Sequence, residues 1–125
     1  MLAFTFKQAL VFSGFIFQNA AAFGCFSSGA TLGEIPPAAY IEEACRTLDY
    51  SAYDAHTYKT YCISLDIGYK ARVDFKIANT FNYQQSLDYQ HCLSNMLATA
   101  KGCAYGGIRA TGLFEATFDP NVGIC

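Results

Sequence analysis

The sequence predicts a small α+β domain stabilised by disulfides. Three observations carry that expectation. Residues 69–77 alternate apolar and charged side chains with period two. Two segments, 37–48 and 86–101, place apolar residues at helical spacing. Six cysteines, Cys25, Cys45, Cys62, Cys92, Cys103 and Cys125, all lie beyond residue 24. An even cysteine count in a short exported chain reads as three disulfides, with fifteen pairings open. A zinc knuckle needs close pairs, and there is no C-x-x-C; the closest spacing is Cys92 to Cys103.

Export is read from the N-terminus. Lys7 gives a positive start, QALVFSGFIF an apolar stretch of about ten residues, and Asn19-Ala20-Ala21-Ala22 a small-residue cleavage region. Residues 1–22 are therefore expected to be a signal peptide and 23–125 a single cysteine-rich domain, secreted and extracellular. A membrane span takes about 20 apolar residues. Gln18 and Asn19 interrupt this stretch, so no span is expected.

The elements follow in order. CFSSGATLG at 25–33 is a weak first strand, poor in β-branched residues. Pro36-Pro37 opens a helix over 37–48, with proline suited to the first turn. Ile41, Ala44, Cys45 and Leu48 form its apolar stripe, and Glu42 and Glu43 suit its early turns. DYSAYDAH at 49–56 is loop. TYKTYCISL at 57–65 reads as a strand, and Asp66-Ile67-Gly68 turns the chain into the 69–77 strand. There Tyr69, Ala71, Val73, Phe75 and Ile77 face inward, opposite Lys70, Arg72, Asp74 and Lys76.

After the loop NTFNYQQ, a second helix spans 86–101. Ser86 is its expected cap and Asp88 lies in its first turn. Tyr89, Cys92, Leu93, Met96, Leu97 and Ala100 supply its stripe, and Gly102 is expected to stop it in a left-handed conformation. LFEATF at 113–118 is the last strand, ended by Asp119-Pro120-Asn121. The order βαββαβ predicts a ferredoxin-like sandwich, with two helices on one face of an antiparallel sheet.

The cysteine-bearing motifs EEACRTL, the helical Cys92, KGCAYGG and FDPNVGIC, with the run from Arg72 to Asn79, resemble small secreted cysteine-rich proteins of filamentous ascomycetes. Many members of that group are candidate effectors of plant-associated fungi. Some share an α/β sandwich with killer toxins of smut-fungus viruses, from which this chain differs in cysteine spacing. The resemblance implies an effector-like protein that binds a host or extracellular partner, in the host apoplast or inside host cells. An antimicrobial killer-toxin-like role is the first alternative, and a secreted ribonuclease the second.

Composition narrows the classes further. The net charge of −2 does not suit a nonspecific nucleic-acid binder or a polybasic membrane binder. A ribonuclease would draw on His56 or His91 with Glu115 and Arg109 for acid–base and phosphate chemistry. Their sequence context does not join them. There is no G-x-S-x-G elbow, and His91 and Cys92 are helix neighbours that point about 100° apart. Asp119-Pro120-Asn121 reads as a turn rather than a metal site, and Tyr105-Gly106-Gly107 lacks a phosphate-loop lysine. No catalytic residue, metal or cofactor is expected, and the protein is not expected to be an enzyme.

A protein partner is expected to meet the open sheet face or the loops 49–56 and 78–85, which carry Tyr50, Tyr53, Phe81 and Tyr83. The candidate partner-binding residues are Arg72, Lys76, Phe81 and Tyr83, on a monomer or small oligomer.

Overall fold

Seven elements follow one another: β1 (Phe23–Cys25), α1 (Ala38–Leu48), β2 (Tyr58–Asp66), β3 (Lys70–Asn79), α2 (Tyr89–Gly102), β4 (Gly107–Thr111) and β5 (Phe114–Val122). The structure is a computed structural model that describes residues 23–33, 37–49, 51–111 and 114–125. The expected signal peptide at 1–22, Pro36, Tyr50 and Leu113 lie outside the described residues.

The five strands form one antiparallel sheet in the order β1-β4-β5-β3-β2. The α+β class therefore holds, but the ferredoxin-like βαββαβ topology does not. A strand absent from the expected order, β4, pairs with both β1 and β5. As a result β5 lies inside the sheet, between β3 and β4.

Glycine concealed β4 in the sequence. GIRAT follows Gly106 and falls between the expected 86–101 helix and the expected 113–118 strand. Yet Gly107 is needed within the strand: a Cβ there would lie 2.3 Å from the Gly24 carbonyl oxygen. Only a residue without a side chain lets β1 and β4 come this close.

Other boundaries moved for local reasons. The first strand is confined to 23–25, and residues 26–33 are irregular. Ala30 is nevertheless buried, and its N–H bonds the Pro120 carbonyl at 3.2 Å. That bond also explains why Asp119-Pro120-Asn121 does not end β5. N–H and C=O of one antiparallel residue point to the same side. The side on which Pro120 lacks a donor is thus the side of Ala30, beyond the last β4 pair at Gly107. The ladder to β3 loses no hydrogen bond and runs on to Val122.

Tyr69 was expected to face inward. It lies in the turn before β3, 43% exposed, with its hydroxyl donating to the Thr31 carbonyl at 2.9 Å. Asp88, not Ser86, caps α2 by accepting from the Gln90 N–H at 3.2 Å. Gly102 belongs to the helix, and the capping position is the extended Cys103.

Both helices pack on one face of the sheet. Ala71, Val73, Phe75 and Ile77 of β3 are buried there, beside Ala116 and Phe118 of β5. Phe75 and Phe118 meet edge to face with centroids 5.6 Å apart. Ile41, Ala44, Cys45 and Leu48 of α1 close the core with Cys92 and Met96 of α2. A fully buried disulfide, Cys45–Cys92, joins the two helices within it. The other bridges are Cys25–Cys103, which ties β1 to the end of α2, and Cys62–Cys125, which ties the C-terminal segment to β2. All six cysteines are paired. Among the described residues no helix is long and apolar enough to cross a membrane.

Candidate partner-binding surface

The site is organised by Asn79, the last residue of β3, which is only 2% exposed. Its Nδ2 donates to the carbonyls of Tyr53 and Asp54, both at 3.2 Å, and of Tyr83 at 2.9 Å. Its Oδ1 accepts from the Phe81 N–H at 3.0 Å. Two amide hydrogens are thus shared among three carbonyls. One buried side chain holds the loop before β2 against the loop after β3.

Backbone bonds complete the junction. Tyr53 and Gln85 exchange N–H···O=C bonds of 2.8 and 2.9 Å, and the His56 N–H donates to the Phe81 carbonyl at 3.1 Å. His56 makes that bond in a left-handed conformation, φ 56°. Tyr53 is fully buried, its hydroxyl donating to the Leu48 carbonyl at 2.8 Å and its ring edge-on to Phe114. Tyr53 therefore belongs to the core rather than to a contact surface.

What this frame presents to solvent is aromatic. Phe81 is half-buried and Tyr83 is 54% exposed; their rings meet at 81° with centroids 5.5 Å apart. The same end of the sheet carries Tyr58, the first residue of β2, which lies opposite Ala78 on the open face and is 61% exposed. Lys76 places its Nζ 4.4 Å from the Tyr58 ring centroid, within the range of a cation–π contact. Lys76 and Tyr58 thus meet on the open face, and Phe81 and Tyr83 meet in the loop that follows the same end of β3. Sequence reasoning missed Tyr58 because no face was assigned to the strand that contains it. Two-residue spacing from Cys62 would have put both on one face.

Arg72 lies elsewhere. It is four residues from Lys76 along β3, about 13 Å at strand rise. Its Nε donates to Asp74 Oδ2 at 2.9 Å and its Nη1 to the Val122 carbonyl at 3.0 Å. Asn121 Nδ2 donates to the same Asp74 oxygen at 2.8 Å. Between these ends the open face forms a shallow concavity of about 600 Å³ lined by Thr60, Cys62, Asp74, Lys76, Thr117 and Asp119.

The residues weighed for ribonuclease chemistry are not assembled. Arg109 lies in β4, and its register partner is the buried Ala116; Glu115 pairs with Ala110. Strand alternation puts Arg109 and Glu115 on opposite faces of the sheet. His91 is exposed on the first turn of α2, with Nδ1 3.5 Å from Asp88 Oδ2, while His56 lies in the loop before β2. Among the described residues no group of three or more His, Cys, Asp or Glu side chains is placed to hold a metal ion. No family model matches the chain, and no curated protein matches its sequence.

Proposed function

We propose that this is a secreted, effector-like protein that acts by binding a protein partner through the aromatic end of its sheet. The observation that carries the reading is the Phe81–Tyr83 pair held in place by Asn79. Aromatic side chains bury large areas on association. Loops already ordered in the free protein spare the complex part of the ordering cost. Tyr58 and Lys76 extend the surface onto the open face. Three disulfides suit an oxidising, extracellular environment, either the host apoplast or the route to a host cell. The effector class rests on the resemblance of the cysteine-bearing motifs.

The test is affinity capture from infected host tissue with the mature, oxidised protein. Phe81→Ala/Tyr83→Ala should lose the captured partner while keeping the native circular-dichroism spectrum. Charge reversal at Arg72 and Lys76 should weaken capture mainly through Lys76. Unchanged capture by both folded variants rejects the surface. Growth inhibition of competing fungi without effect on infection would replace the effector reading with a toxin. RNA cleavage abolished by substitution of His56 or His91 would replace it with a ribonuclease.

A further inference from the structure

We propose that the Cys62–Cys125 bridge is a redox-operated latch that holds the C-terminal segment across the open sheet face. The three bridges differ in what surrounds them. Cys45 and Cys92 are buried between the helices. Cys25 is exposed, but β1 pairing to β4 keeps it beside the buried Cys103 after any opening, so that bond recloses readily. Cys125 is exposed and lies beyond the last strand, on residues 123–125.

Among the described residues, little besides the bridge retains this segment. The Gly123 N–H donates to the Lys70 carbonyl at 2.9 Å, and the Cys125 N–H to Ser64 Oγ at 2.9 Å. Ile124, between them, is 58% exposed and so adds little apolar burial. Two hydrogen bonds, the second of them exposed, hold so short a segment only weakly. What the segment covers is Arg72: a Cβ on Gly123 would lie 3.3 Å from Arg72 Nη1. Opening the bridge therefore frees the segment and uncovers Arg72 and the Cys62 thiol on the open face.

The chemistry is thiol–disulfide exchange with a dithiol reductant. A reductant thiolate attacks Cys125 Sγ, the Cys62–Cys125 bond breaks, and Cys62 leaves as a thiolate that takes up a proton. The second reductant thiol then displaces Cys125 from the mixed disulfide. The reductant ends as a disulfide, having given two electrons, and the protein as two thiols.

The experiment treats the native, oxidised protein with graded dithiothreitol without denaturant, alkylates the thiols formed, and maps them by peptide mass. Cys62 and Cys125 should be alkylated first, at least roughly tenfold faster than the other four cysteines. In parallel, an arginine-selective dicarbonyl reagent should modify Arg72 at least roughly fivefold faster once the bridge is open. Arg46, on α1, serves as the internal control. The open state is supplied both by Cys62→Ser/Cys125→Ser and by wild-type protein alkylated only at those two cysteines, so misfolding of the variant does not decide the result. The latch is overturned if another bridge opens first, if all three open in one step, or if Arg72 modification rises by less than that factor.

Discussion

Asn79 does at residue scale what a longer hydrogen-bonded ladder would otherwise have to do. Asn79→Ala removes both amide hydrogens from three carbonyls and strands the Phe81 N–H. Each unsatisfied buried group costs about 1–3 kcal/mol, and relaxation toward water recovers part of it. The expected loss is about 2–3 kcal/mol in denaturant unfolding, with faster amide exchange at residues 80–85. The run of residues ending at Asn79 was visible in the sequence, but this role was not. The carbonyls that need the amide come from Tyr53 and Asp54, far away along the chain. Tyr61 supplies a second residue-scale expectation. Its hydroxyl donates to Glu43 Oε2 at 2.5 Å, joining β2 to α1. That hydrogen bond, with burial and the Glu43 charge behind it, raises the phenol above its ordinary 10.0. A raised acid keeps its proton longer in the folded state than in the unfolded one. Its contribution to stability is therefore full below pH 10 and declines as pH rises from there through the raised folded value. Tyr61→Phe should flatten that decline when unfolding midpoints are compared across the alkaline range.

At the scale of elements, legibility followed periodicity. β3 and both helices were read correctly in type and nearly in extent, because their apolar rows repeat over nine or more residues. The elements misread are short or contain the residues that usually punctuate structure. β4 has five residues and begins with glycine, and β5 passes through a proline whose missing donor falls on the unpaired side. The candidate site followed the same rule. Phe81 and Tyr83 were legible as loop aromatics, whereas Tyr53 proved to be core because a turn brings it under Phe114. The glycine reading of β4 is testable. In Gly107→Ala the new methyl would meet the Gly24 carbonyl oxygen, the Cys25 Cα and, at 3.2 Å, the Cys103 sulfur. Two of those neighbours are backbone and cannot turn away. The expected cost is at least about 3 kcal/mol, with separation of β1 from β4. It should appear as a lower melting temperature and faster amide exchange in β4.

For the molecule as a whole, the bridges distribute constraint over all the layers: helix to helix, first strand to second helix, and sheet edge to C-terminal segment. The folded protein should show no free thiol before reduction and six after it. Cys45→Ala/Cys92→Ala opens a loop of sequence separation 47. By chain entropy alone that lowers stability by about 4 kcal/mol, measurable as a shift in the denaturant midpoint. The position of β5 bears on how the molecule assembles. β2–β3 and β4–β5 are each local hairpins, formed between near neighbours. The seam between them, from Ala71 with Val122 to Asn79 with Phe114, joins residues 35 to 51 positions apart. Closing it requires the chain to have travelled through α2 and back, so the central seam bears a larger loop-closure cost than either hairpin, and the β1–β4 pairing, from Cys25 with Gly107 to Phe23 with Arg109 and so between residues 82 to 86 positions apart, a larger one still. Assembly from the two local hairpins therefore leaves two longer loops to close, first the seam at the middle of the sheet and then the pairing of β1 at its edge.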